Sequence, residues 1–110
     1  MAQDDELAHR VRELLGEQDG LSEQRMFGGL AFLLDGNMAV AVSTRGLLVR
    51  VGPDGAQAAL AKPGAEEMKM GQRAMRGWVR VAADALRSKR QLAPWVSAGV
   101  GFARTLAPKG

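Results

Sequence analysis

Nucleophilic and metal-assisted chemistry draws mainly on cysteine and histidine, and this 110-residue sequence offers one histidine and no cysteine. A tetrahedral zinc site or a Ser–His or Cys–His pair cannot be assembled from that inventory without unusual ligands. The single histidine, His9, falls beside Arg10 on the polar side of a helical pattern, away from the stripe of Leu7, Val11 and Leu14. It reads as a solvated helix residue. Acid–base catalysis by two carboxylates needs a converging pair. The adjacent pair Glu66-Glu67 follows Pro63-Gly64 and precedes a strand pattern, and the other acids lie at helix ends and loops, where capping and solubility account for them. Gly28-Gly29 does not open a helix and no Lys-Ser/Thr follows, so it is not a phosphate loop. Gly99 and Gly101 sit inside an apolar helical repeat, where close packing explains them. These residues imply a non-enzymatic domain with no catalytic residue, cofactor or metal.

Arg76, Trp78 and Arg80 have a spacing with more content. In a strand they share one face, while Gly77, Val79 and Val81 share the other. A tryptophan between two arginines can stack on a base while the guanidinium groups meet phosphates. The same three residues equally describe a ring packed on a core or subunit interface with arginine stems over it. The net charge of +3 bears on this choice, because it is unevenly spread. Residues 1–27 hold seven acids against three arginines, a balance of −4, whereas residues 69–110 hold nine bases against Asp84, a balance of +8. Arg73, Arg76, Arg80, Arg87, Lys89 and Arg90 are therefore the candidate contacts for nucleic acid or another anion. The alternative is a basic element folded back on the acidic first helix. No helix-turn-helix or RNA-recognition signature accompanies the charge.

The elements that must hold these residues follow from length and periodicity. One chain of 110 residues with 46% apolar and 25% charged residues fits a single domain with one core. The acidic start lacks a signal-peptide pattern, and no apolar run approaches the roughly 18 residues of a membrane span. A cytoplasmic protein with no membrane association is the expectation. Leu7, Val11, Leu14 and Leu15 predict a helix over Asp4 to Leu15 with Gly16 as its cap. From Glu23 to Val51 the period becomes two, and Asp35-Gly36-Asn37 and Thr44-Arg45-Gly46 cut the run into a meander. Its strands are 23–27, 30–34, 38–43 and 47–51, with Met38, Val40 and Val42 on one face. A short helix over Asp54 to Ala61 and a hairpin of strands 67–70 and 76–81 follow. Leu92, Trp95, Val96, Gly99, Phe102 and Leu106 predict a last helix. Ser88 and Gln91 match a capping box, but Pro94 would then lie inside the helix, so its regular part is placed near Pro94. The class is α+β: one antiparallel sheet, in α-β3/4-α-β2-α order, with helices on one face.

Arg25-Met26-Phe27-Gly28-Gly29-Leu30-Ala31-Phe32 resembles the opening motif of the TfoX/Sxy N-terminal domain. Asn37-Met38-Ala39-Val40, Leu47-Leu48-Val49-Arg50-Val51-Gly52, Ala74-Met75-Arg76-Gly77-Trp78-Val79 and the Trp95-Val96 helix with Phe102-Ala103-Arg104 continue the likeness in order, from about Asp4 to Pro108. Ala74 departs from it, standing where a proline is expected. The resemblance implies a two-layer fold like that of secretion chaperones, often dimeric, in a family named for regulators of DNA-uptake competence that assist a transcription activator. Those regulators carry a further C-terminal domain that finds no counterpart in this sequence. Met26, Phe27, Gly28, Gly29, Gly77 and Trp78 become structural motif residues on this reading, with glycine allowing a sharp bend or close strand approach. The function it implies is a regulatory or adaptor domain acting by protein–protein binding, a homodimer included. Direct nucleic-acid binding is the alternative, and small anionic ligand binding or an unrecognised activity is a second.

Overall fold

The computed structural model describes residues 2–26, 29–43, 46–70 and 73–107, and within these the side chains of all but 2–5, 26, 69, 70 and 73–76. Phe27 and Gly28, the turns at 44–45 and 71–72, and Pro108 lie outside the described residues, as do the side chains of Met26, Arg73 and Arg76. The elements are α1 (Ala2–Leu15), β1 (Leu21–Met26), β2 (Gly29–Leu34), β3 (Asn37–Ser43), β4 (Gly46–Arg50), α2 (Ala56–Leu60), β5 (Ala65–Met70), β6 (Arg73–Val81), a 3-10 turn (Ala83–Leu86) and α3 (Lys89–Ala103). The six strands form one antiparallel sheet in the order β1-β2-β3-β4-β6-β5. No described helix is long and apolar enough to cross a membrane.

Period-two alternation gives the sheet an apolar face, and the helices close over it. Phe32, Val40, Val42, Leu47, Val49, Val79 and Val81 are all at most 1% exposed and form one cluster with Leu7, Val11 and Leu15 of α1, Ala59 of α2 and Leu92, Trp95 and Val96 of α3. Removing such a side chain from water stabilises the fold by about 1.5–3 kcal/mol each. The chain enters from α1, builds the β1–β4 meander, and uses α2 to step outward. β5 then becomes an edge and β6 returns to pair with β4.

Three expectations are corrected. The alternation of β3 breaks at Ala39: Phe32 pairs with Val40 but Leu33 pairs with Met38, so Ala39 is an extra residue. This bulge buries Ala39 and Val40 side by side and leaves Met38 half-buried, off the Val40/Val42 face. The last helix begins at Lys89, not near Pro94, and the capping box forms in full: the Ser88 hydroxyl accepts from the Gln91 amide while the Gln91 side chain accepts from the Ser88 amide. Proline is tolerated inside because its missing N–H orphans only the carbonyl of Arg90, and both residues are exposed to water. Starting early also lets Leu92 join the buried stripe. Gly99 is closely packed against the backbone of Ala39, but Gly101 is exposed, with open space around it.

Polar contacts fasten the rim. Asn37, buried to 3% exposure, donates from Nδ2 to the carbonyl of Ala107 at 2.8 Å. Arg104 reaches Gln18 at 3.0 Å and Asp35 at 3.6 Å, joining the end of α3 to two loops. Arg12 donates twice to Glu23, at 2.6 and 2.8 Å, clasping α1 to β1, and its guanidinium lies over the Phe32 ring.

These contacts make two predictions. The paired hydrogen bonds from Arg12 hold the Glu23 carboxyl below its ordinary value of 4.5, against an opposing push from burial. A depressed folded value means that the stabilisation is present above pH 4.5 and lost as pH falls through the folded value. Thermal unfolding of Glu23→Gln between pH 3 and 7 is expected to lack that part of the acid slope. Ser88→Ala removes a cap and should lower the stability by about 1 kcal/mol in urea unfolding, with little effect on the slope of the transition.

Candidate functional site

The sheet has a second face, and the strand register shows what stands on it. Gln24 of β1, Ala31 of β2, Ala41 of β3, Leu48 of β4, Arg80 of β6 and Glu66 of β5 are successive cross-strand partners, so they form one row. Ala31, Ala41, Leu48 and Arg80 each lie one residue from a core position, and alternation puts the row opposite the helices. Ser22, Leu33 and Met38 lie beside this row on one side of the sheet, and Arg50 and Trp78 beside it on the other. Leu33, Met38, Ala41, Leu48, Trp78, Arg50 and Arg80 are all half-buried, and Ala31 is fully buried among its neighbours. None of them belongs to the clusters that the helices enter. Among the described residues, the helices pack on the opposite face, and α3 reaches this one only at its edge, through Phe102 against Arg50.

The polar groups here are arginines set among apolar side chains. Arg80, with a side chain 22% exposed, donates to the sulfur of Met68 at 3.2 Å and has Glu66 at 3.9 Å. Arg50 lies opposite Trp78 in the β4–β6 register, with its guanidinium carbon 5.4 Å from the Trp78 ring centroid and 5.5 Å from that of Phe102 in α3. Gly77 creates this pairing. Its φ of +86° is open to glycine and few other residues, and its carbonyl accepts from both Val51 and Gly52 at 2.8 and 3.0 Å. A Cβ there would sit 3.1 Å from the carbonyl carbon of Gly52 and the nitrogen of Pro53. Gly29 is equally confined, because a side chain would collide with the carbonyl oxygen of Val42 across the strand pair.

The sequence candidates therefore separate. Trp78 and Arg80 share the open face, and Arg50, which sequence reasoning did not select, completes their cluster. Only the adjacency of β4 and β6 reveals it. Arg87, Lys89 and Arg90 are exposed at the start of α3, in the helix layer, with Asp84 3.5 Å from Arg87. Arg73 and Arg76 belong to the backbone of β6, but their side chains lie outside the described residues. The basic start of α3 lies beside acidic α1, with Lys89 near Glu13 and Arg87 near Glu6, without a direct ion pair between them among the described residues. Among the described residues the ion pairs of the last third are Arg80–Glu66, Arg87–Asp84 and Arg104–Asp35, and none reaches α1. His9 is exposed, with Glu13 at 3.8 Å. Two surface depressions, of about 230 and 320 Å³, mix acids and bases: Arg10, Glu13 and Lys89 in one, and Glu6, Arg10, Asp84 and Arg87 in the other. Neither gathers charge of one sign, as an anionic ligand would require. No group of three or more potential metal ligands occurs among the described residues.

The family model described as TfoX N-terminal domain matches residues 13–103, and the chain belongs to that family. The match spans every strand and α3, so both faces of the sheet fall within it. No curated protein and no solved structure matches the chain.

Gly77→Ala is expected to lower stability by about 1–2 kcal/mol, the usual penalty of a left-handed conformation with a Cβ. It should also move the Trp78 indole N–H resonance by disturbing the pairing with Arg50. Gly101→Ala, at a helical position with open space, should instead raise stability by about 0.5–1 kcal/mol.

Proposed function

We propose that this TfoX N-terminal domain is a non-enzymatic regulatory or adaptor domain that binds a protein across the open face of its sheet. The observation that carries the reading is the half-buried surface of Leu33, Met38, Ala41, Leu48 and Trp78, which no described helix covers. Continuous apolar surface rimmed by polar groups is what protein partners bury. Gln24 and Ser22 border it on the β1 side, and Arg80 and Glu66 on the β5 side. The family supports a regulatory domain, and transcriptional regulation in the cytoplasm is the setting that its name suggests. A second copy of the chain is one partner of the required kind.

Direct nucleic-acid binding is the competing reading, supported by the +8 balance of residues 69–110. It is weakened by the separation of Arg80 from Arg87, Lys89 and Arg90, since a phosphate track needs free cations along one path. A single comparison distinguishes the two. Wild-type protein and Leu48→Glu are each followed by sedimentation over a range of concentrations, by affinity recovery from host-cell extract, and by titration with a short DNA duplex. A self-associated or partner-bound species that Leu48→Glu loses is the expected result. A monomer at all concentrations that recovers nothing counts against it. Duplex affinity falling on the order of 10³-fold or more from 50 to 200 mM salt would install nucleic acid in its place, as expected for about six phosphate contacts.

A further inference from the structure

On the reading that the open face binds protein, we infer that Arg50 is its recognition residue: Trp78 and Phe102 hold the guanidinium ready for the carboxylate of an acidic–apolar segment of the partner. Arg12, Arg80, Arg87 and Arg104 each have an acidic neighbour in the fold. Arg50 is half-buried and has none among the described residues; it lies against the two rings, at 5.4 and 5.5 Å. A cation this far out of water is worth retaining where a counter-charge arrives from outside. The ring contacts also solve an entropic problem. A free arginine loses much of its rotamer freedom when it pairs, whereas one already resting on two aromatic rings has lost most of it beforehand. Contacts of this kind engage the flat faces of the guanidinium, and the in-plane N–H fork is the part that fits a carboxylate.

The surroundings define the rest of the ligand. Arg50 and Trp78 face one another across β4 and β6, and Leu48 and Arg80 face one another two residues along. The four side chains form a checkerboard of two cations and two apolar groups, with diagonal neighbours roughly 7–8 Å apart. Arg80 is already shared with Met68 and Glu66, so of the two cations Arg50 is the one without a counter-charge among the described residues. The position is fixed from behind: where a side chain at Gly52 would stand, the Phe102 ring stands instead. One carboxylate flanked by apolar side chains matches this pattern. A nucleic-acid backbone does not, because it needs several unpaired cations in line and would bring phosphates toward Glu66.

The test is selection of random twelve-residue peptides displayed on phage against the immobilised full chain, with the selected peptides then titrated into isotope-labelled protein. Two tryptophans, Trp78 and Trp95, supply the only two indole N–H resonances. Enriched peptides should carry Asp or Glu beside apolar residues and shift the Trp78 signal while leaving that of Trp95 in place. Arg50→Lys, which keeps the charge but not the planar fork, should weaken binding by about tenfold or more. Replacing the peptide's carboxylate by its amide should weaken binding to the unaltered protein similarly, which makes the result independent of how Arg50→Lys folds. Three results overturn the inference yet leave protein binding standing: enriched peptides without acids, acidic peptides indifferent to Arg50→Lys, or shifts that avoid Trp78. Two results overturn both: no enrichment at all, or a Trp78 shift produced by a DNA duplex with steep salt dependence and by no peptide.

Discussion

The seating of α3 on the sheet is the contact on which the rest of the structure depends. α3 carries Leu92, Trp95, Val96 and Gly99 in one stripe, and Gly99 brings the helix so close to β3 that an added Cβ would meet the Ala39 carbonyl oxygen at 2.5 Å. The bulge at Ala39 faces this approach, and it places Ala39 beside Ala103 and Leu34 in a small cluster under the helix end. Small residues on both sides let helix and strand meet backbone to backbone, and dispersion between them replaces the volume of side chains. Once α3 is seated, α1 and α2 have a common floor of Val and Leu to complete.

Seating three helices on one face has a consequence for the other. A six-stranded sheet must present its remaining side chains somewhere, and here they are aliphatic, sulfur-containing and aromatic instead of uniformly charged. Antiparallel sheets often face water on one side, with polar residues there. This one follows that rule only at its margins, in Ser22, Gln24 and Glu66. The centre is an apolar surface interrupted by two arginines whose stems and guanidinium groups are partly withdrawn from solvent.

Much of the plan was legible along the chain because it depends on local rules. Asp35-Gly36-Asn37 is a turn in which Asp35 and Gly36 both take positive φ, as hairpin chemistry requires. Expectations failed where two local rules competed. Capping and proline avoidance made opposite demands on the start of α3, and the buried stripe decided between them by recruiting Leu92. A strict two-residue alternation for β3 missed the bulge, because the extra residue is defined only by pairing with β2. Charge segregation suggested a basic element against acidic α1, and the start of α3 does lie beside it, but the described ion pairs of the last third join other neighbours.

By itself, the sequence determined the class of fold, the apolar faces of the strands other than β3, and the family. The first two follow from spacing within a few residues, where the geometry of helix and strand leaves little choice, and the family follows from the order of short motifs along the chain. Only the tertiary structure decided that β6 inserts beside β4, that the candidate bases divide between two surfaces, and that Arg50 rests against Trp78 and Phe102. Arg50 and Trp78 are distant along the chain, and so are Arg50 and Phe102. Their meeting depends on strand order and on the passage of α3 over Gly52, which are settled by the packing of the whole domain and not by any local propensity.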